Sequence, residues 1–243
     1  MQAWSLSDTG LVREQNQDYC DIVRFSDEQL LVIVCDGMGG ARAGNVASRL
    51  ACEVFAGEVR RTVHETMSAA AIADMMISGA ELANRTVYEQ SHLGTQFQGM
   101  GTTLVAAFLQ GCDATIANIG DSRAYYLNRS GISRITVDHS VVEDMVRRGE
   151  LTPDQARRHP RRNLITRAVG TEPDVLCDIF TKTLSPGDFL LLCTDGLSGV
   201  VTDQEMLFEV VHGANPDNCC RRLLNIALGA GAPDNVTMAL IRA

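Results

Sequence analysis

Short runs of branched apolar residues punctuate the chain. They cover Ala3–Leu6, Tyr19–Phe25, Leu30–Cys35, Thr102–Leu109, Ala114–Ile119, Arg123–Leu127, Ile132–Thr136, Asp178–Leu184, Phe189–Cys193 and Val236–Ile241. Each is bounded by Gly, Asp, Asn or Ser, which predicts β-strands. Between them the period changes. In residues 44–63, Val46, Leu50 and Val54, with Ala47, Ala51 and Phe55, recur at intervals of three and four, giving one apolar helical stripe. Residues 68–92 carry a weaker version through Ile72, Met76, Leu82 and Val87, and the Met and Phe positions read as core. Ser140–Glu143, Thr152–Gln155 and Thr202–Glu205 have capping-box spacing and mark helix starts. Asn215-Pro216 opens a further helix that ends near Gly229.

The order of these elements predicts the fold class. Strands come in consecutive groups with helices inserted in pairs, which argues against a parallel sheet built from alternating strands and helices. The expectation is an α+β fold, with two mainly antiparallel sheets packed face to face and flanked by pairs of helices. No repeat, low-complexity tract or Pro/Gly/Ser linker divides the sequence, so residues 1–243 read as a single domain.

Composition narrows the function. Hydrophobic residues make up 45% of the chain, ample for a core, yet no apolar run approaches a membrane span. The start, "MQAWSLSDTG", has neither the basic residues nor the apolar stretch of a signal peptide, so a cytoplasmic protein is expected. Eight cysteines occur without a CxxC pair or metal-ligand spacing, and Cys35 and Cys193 lie inside apolar runs as reduced core residues. A net charge of −9 argues against a general nucleic-acid binder. The basic charge is uneven, however. Residues 147–167 hold seven arginines against two acids, which reads either as a solvated helical hairpin or as a substrate-docking surface.

The acids are placed more tellingly. "LLVIVCDGMGG" runs an apolar strand into Asp36, and "DFLLLCTDGLSGV" repeats that pattern at Asp195. Asp121 follows the strand in "DATIANIGDSR", Asp234 precedes the last strand in "GAPDNVTMALI", and Asp18 precedes one in "REQNQDYC". Any one of these suits a turn. Meeting at one edge of a sandwich, the five would repel and raise each other's pKa unless a hard divalent cation offset the charge. An all-oxygen set suits Mg²⁺ or Mn²⁺, and Gly37 lets a backbone carbonyl approach the ion. Competing motifs fail: Arg42 breaks the dinucleotide fingerprint, and there is no P-loop, GxSxG elbow or EF-hand loop.

"CDGMGGARAGNVAS", "GMGTTLVAAF", "IANIGDSRAYYL", "ITVDHS", "HPRRNLITRAVG", "LLLCTDGLSGVV" and "PDNVTMALI" together resemble the bacterial protein phosphatase 2C family of metal-dependent serine/threonine phosphatases. The matches fall in family order from about Asp8 to Ile241. The resemblance implies an α-β-β-α sandwich forming one catalytic phosphatase domain, with a flap over about residues 139–167. It implies that Asp36 bridges two Mn²⁺ or Mg²⁺ ions, with the Gly37 carbonyl on one of them. Asp195 and Asp234 hold the second ion, and Asp18 binds a metal-bound water. Asp121, with Asp195, resembles a third, weaker site. Arg13 stands where the family grips the substrate phosphate, a task suited to bidentate guanidinium geometry. The implied reaction is attack of a metal-bridged hydroxide on phosphoserine or phosphothreonine, with Arg13, Asp36 and Asp195 as the catalytic residues.

Several departures and alternatives accompany this reading. The acidic or amide position before Asp18 is Gln17, many bacterial members carry histidine where this chain has Ala41, and animal and plant members carry it at the Met38 position. With neither histidine, the leaving-group proton is expected from metal-bound water. His139 reads as a satisfied loop or cap residue, not a catalytic one. The rival readings are a pseudophosphatase that binds phosphoproteins without turnover and a phosphatase of small phosphate esters. By family analogy the expected partners are phosphorylated proteins, an opposing Ser/Thr kinase and a forkhead-associated protein as shared target. The chain is expected to be a monomer with no bound nucleic acid and no membrane span.

Overall fold

The computed structural model describes residues 1–39, 43–213 and 215–243. The apolar run at Leu30 explains the architecture. Leu31, Ile33 and Cys35 pack into one core while Leu30, Val32 and Val34 pack into another, so this strand is buried on both faces. A strand covered on both faces reads as continuously apolar instead of alternating.

One sheet has the order β1-β11-β10-β7-β8, from β1 (Gln2–Asp8), β7 (Arg123–Asn128), β8 (Gly131–Arg134), β10 (Phe189–Cys193) and β11 (Val236–Arg242). The other has the order β2-β3-β5-β6-β9, from β2 (Asp18–Arg24), β3 (Gln29–Met38), β5 (Leu104–Gln110), β6 (Asp113–Ile119) and β9 (Asp178–Thr183). A two-residue strand, β4 (Gly101–Thr102), pairs with the end of β3. All pairings among the described residues are antiparallel.

Helices cover both outer faces. α1 (Ala43–Thr62) and α2 (Ala69–Ser91) lie on the β3 sheet through Ala47, Ala51, Phe55, Met76 and Val87. The other sheet is covered by α5 (Asp195–Ser198), α6 (Asp203–Leu207) and α7 (Cys219–Gly229), through Leu197, Met206, Leu223 and Ala227. The four layers are therefore α-β-β-α, with a third core of Leu30, Ile116, Leu190 and Ile241 between the sheets. No described helix is long and apolar enough to cross a membrane.

The predicted run Thr102–Leu109 is divided at Thr103, whose N–H turns to donate to the Asp36 carbonyl at 2.9 Å. The flap holds two short helices, α3 (Val141–Arg147) and α4 (Pro153–Arg157), and an isolated bridge between Ser140 and Ile165 closes its base. Thr152 and Thr202 form complete capping boxes with Gln155 and Glu205. Ser140 accepts from the Glu143 N–H at 3.2 Å, but the Glu143 side chain turns instead to Arg134. The Asn215-Pro216 start begins as a 3-10 turn, Pro216–Asn218, before α7.

Candidate active site

Asp18 opens β2 directly opposite Asp36 in β3. Asp195 follows β10, Asp234 precedes the neighbouring β11, and Asp121 lies between β6 and β7. Stacking the sheets brings these strand ends together. Burial pushes the Asp36 carboxyl well above the usual carboxylate range, and Asp18, Asp195, Asp121 and Asp234 push it further. Burial likewise raises Asp18 to about 7, against hydrogen bonds from Thr237 and Thr194, and Asp121 to about 8, with Asp195 adding repulsion. Asp195 is raised by burial and by Asp234, an effect partly offset by its side-chain interaction with Asp36. All five acids singled out in the sequence thus share one electrostatic cluster.

Arg13 joins it. Its Nη2 donates to Asp234 Oδ2 at 2.8 Å, a contact that holds the guanidinium more strongly protonated than usual. The loop that presents Arg13 is built on Asn235, whose Nδ2 donates to the carbonyls of Thr9 and Gln15 while its Oδ1 accepts from the Gln17 N–H at 2.8 Å. Leu11 N–H donates to the Ala232 carbonyl at 3.0 Å. Residues at opposite ends of the chain are thereby fixed together beside the acids.

The two Asp-Gly pairs share a physical reason. A Cβ on Gly37 would collide with the carbonyls of Gly44 and Gln17, and one on Gly196 would collide with the Asn235 carbonyl. Each glycine lets the strand end bearing its aspartate lie against a neighbouring backbone. The Gly37 carbonyl itself faces Gly44, where a Cβ would meet it 2.8 Å away.

Sequence reasoning missed the groups that hold the acids in place. Thr194 Oγ1 donates to Asp18 Oδ2 at 2.9 Å and accepts from the Thr237 N–H at 3.1 Å. The Asp36 N–H donates to Thr103 Oγ1 and its carbonyl accepts from Thr102 Oγ1, each at 2.9 Å. Thr103 and Ser122 hydroxyls lie 2.7 Å apart, tying the segment before β5 to the turn that carries Asp121. The signal was present in adjacency for part of the set: Thr194 in "CTDG", Ser122 in "GDS" and Asn235 in "PDNV" each adjoin an aspartate, whereas Thr102, Thr103 and Thr237 do not.

A cleft of about 430 Å³ opens over the cluster, lined by Arg13, Asp121, Asp195 and Asp234 on its floor and by Val142, Val146, Arg157 and Arg162 from the flap. Under the flap, Arg123 and Arg134 converge on Asp138, and Arg134 also holds Glu143 at 3.0 Å.

The sequence model described as Protein phosphatase 2C matches residues 12–223. The chain belongs to the protein phosphatase 2C family. It is 35% identical over 241 residues to the serine/threonine phosphatase stp of Listeria monocytogenes, covering 99% of this chain and 95% of that one. It is 32% identical over 241 residues to protein phosphatase PhpP of Streptococcus pneumoniae, covering 99% and 97%. The crystal structure of Stp1 from Staphylococcus aureus superposes with a TM-score of 0.93 at 35% identity, covering all of this chain and 94% of that one. The Mycobacterium tuberculosis phosphatase PstP/Ppp gives 0.85 at 33%, covering 98% and 97%.

Protein phosphatase 2C enzymes are metal-dependent. Among the described residues no group of three His, Cys, Asp or Glu side chains is already spaced to hold a metal ion. The residues fit an ion on other grounds. Asp18 Oδ1 and Asp195 Oδ1 are buried without any hydrogen-bond partner, and a buried acceptor left orphaned calls for a cation or water. The donors are all oxygen, the set preferred by Mg²⁺ and Mn²⁺. Of the family departures, Gln17 is fully engaged through its backbone, accepting from Gly37 N–H at 3.1 Å and Ser48 Oγ at 2.6 Å. Ala41 and Arg42 lie outside the described residues. His139 is buried away from the acids' open face, with both ring nitrogens hydrogen-bonded, as a satisfied loop residue should be.

Proposed function

We propose that this chain removes phosphate from phosphoserine and phosphothreonine in proteins, at the cleft floored by Asp121, Asp195 and Asp234 with Arg13, beside Asp18 and Asp36. The observation that carries this reading is the gathering of carboxylates from separate strand ends, with Asp18 Oδ1 and Asp195 Oδ1 buried without hydrogen-bond partners, beside a guanidinium exposed to the cleft. Such an arrangement has little purpose for turns and suits a charged centre. Asp36, Asp195 and Asp234, with Asp18 and the Gly37 carbonyl, would hold the core pair of Mn²⁺ or Mg²⁺ ions, and Asp121 with Asp195 would hold a third. When bound, the ions activate water near neutral pH and offset phosphate charge.

The chain's own groups do the rest. Arg13, half exposed in the cleft, orients the phosphoryl oxygens by charge-assisted hydrogen bonds. Thr194 and the Thr102–Thr103 pair keep Asp18 and Asp36 aimed as substrate arrives. Val142 and Val146 give the cleft an apolar wall that limits water there. A pseudophosphatase is disfavoured because Asp36, Asp195 and Asp234 are all retained. The relatives named above are serine/threonine or protein phosphatases, which supports protein substrates over small esters, and phosphorylated proteins in turn require an opposing kinase.

Comparing kcat/KM for a phosphothreonine peptide and p-nitrophenyl phosphate in Mn²⁺ tests the choice of substrate. The peptide is expected to be the better substrate, and a preference for the small ester would overturn that reading.

A further inference from the structure

A polar constellation outside the acid cluster lies at the base of the flap. His139 is buried and exchanges two hydrogen bonds with Gly120. Its N–H donates to the Gly120 carbonyl at 3.0 Å, and the Gly120 N–H donates to its Nδ1 at 3.0 Å. Because Nδ1 accepts, the neutral ring carries its proton on Nε2. Nε2 then donates to Asp178 Oδ2 at 3.1 Å. Burial lowers the His139 pKa, in keeping with a neutral ring. Asp178, at the start of β9, also accepts from Arg167 Nη1 at 2.8 Å. Although partial burial raises it, Arg167 and His139 bring it below the usual carboxylate value. One carboxylate therefore orders both the residue leading into the flap and the residue leading out of it.

Gly120 immediately precedes Asp121. Its φ of +104° is open to glycine, and a Cβ there would meet the Thr103 side chain at 2.6 Å. Its peptide is thus pinned by its own conformation, by Thr103 and by His139. The direction of that peptide sets where the next side chain points.

We propose that His139, held in one tautomer by Asp178, is a positioning residue that fixes the Gly120 peptide and so aims the Asp121 carboxylate into the acidic cluster. The inference rests on Asp121 being a metal ligand. His139 touches neither the cluster nor the cleft and acts only through Gly120. The same bond couples the flap base to the cluster.

Asparagine and glutamine separate the two ring contacts. An asparagine amide oxygen occupies the place of Nδ1 and accepts from Gly120, needing no tautomer, but does not reach Asp178. A glutamine amide reaches Asp178 and leaves the Gly120 N–H without its acceptor. Mn²⁺ is titrated by calorimetry into wild type, His139→Asn, His139→Gln and Asp121→Asn, with thermal melts in chelator reporting folding. His139→Gln is expected to weaken, by roughly tenfold or more, the Mn²⁺ site that Asp121→Asn removes, the range seen when a ligand's supporting group is lost. His139→Asn is expected to stay close to wild type. Wild-type affinity in His139→Gln, or equal loss in both variants, overturns the inference while leaving Asp121 as a ligand. If Asp121→Asn binds Mn²⁺ as wild type does, the ligand reading itself fails and the inference with it. Hydrogen exchange at the Gly120 amide of the wild-type protein reads the bond without any variant: slow exchange supports it, and exchange at the rate of exposed loops overturns it.

Discussion

Asp18 and Asp36 face each other across β2 and β3 as a directly paired register position. Like charges so placed destabilise a sheet, and desolvation adds to the cost of ionising both carboxyls. With Asp18 raised from 3.8 to about 7 and Asp121 to about 8, the folded chain holds more protons than the unfolded chain between those values. Metal-free stability therefore falls as pH rises from about 4 to about 8. Asp18→Asn removes part of that loss, so it should raise the melting temperature in chelator more at pH 8 than at pH 5. Scanning calorimetry at both pH values checks this; a pH-independent difference contradicts it.

Arg13→Ala should weaken phosphate binding more than metal binding. A charge-assisted hydrogen bond contributes about 1.5–3 kcal/mol, so kcat/KM on a phosphopeptide should fall roughly ten- to a hundredfold, chiefly through KM. Steady-state kinetics with saturating Mn²⁺ measures this. Unchanged kinetics would remove Arg13 from the site.

The flap arginines are not equivalent. Arg157 and Arg162 line the cleft, and Arg157 lies 3.7 Å from Asp203, which offsets part of its charge. Neutralising Arg157, Arg158, Arg161 and Arg162 together should depress kcat/KM on an acidic phosphoprotein, and less so as salt rises, because surface charges act over about 8–10 Å near physiological ionic strength. Hydrolysis of p-nitrophenyl phosphate should change little. Proportional loss on both substrates at every salt concentration would mean that the flap shapes the site itself.

Gly196→Ala forces a methyl group into the Asn235 carbonyl, against backbone that cannot step aside. Overpacking of this kind costs about 1–3 kcal/mol, and separating Asp195 from Asp234 should remove most activity as well. Gly57→Ala is the control: it lies in α1 with nothing near its would-be Cβ, and should stabilise by roughly 0.5–1 kcal/mol. Thermal melts of both variants test the contrast.

The layers were legible because burial writes itself into periodicity. The unbroken run in β3 and the three-four spacing in α1 each have one packing solution. The acids were legible because each ends or begins such a run. What the sequence hid is the set of contacts between distant segments. Nothing in "PDNV" reveals that Asn235 organises the backbone from Thr9 to Gln17, since that depends on β1 and β11 being neighbours. The reason for Gly37 was likewise only half visible: its closest neighbours are Gln17, in the loop before β2, and Gly44, in α1. His139 read as a satisfied residue, which it is, but its partners Gly120 and Asp178 lie 19 and 39 positions away.

If the Asp36 cluster makes this chain a metal-dependent phosphatase, its activity depends on both the metal and these acids. Phosphate release from a phosphothreonine peptide, measured across a Mn²⁺ titration for wild type, Asp36→Asn, Asp195→Asn and Asp234→Asn, with circular dichroism confirming each fold, tests it most directly. Wild-type activity should appear only with Mn²⁺ and collapse in all three folded variants. Wild-type turnover in excess chelator, or full activity in Asp36→Asn, would contradict it.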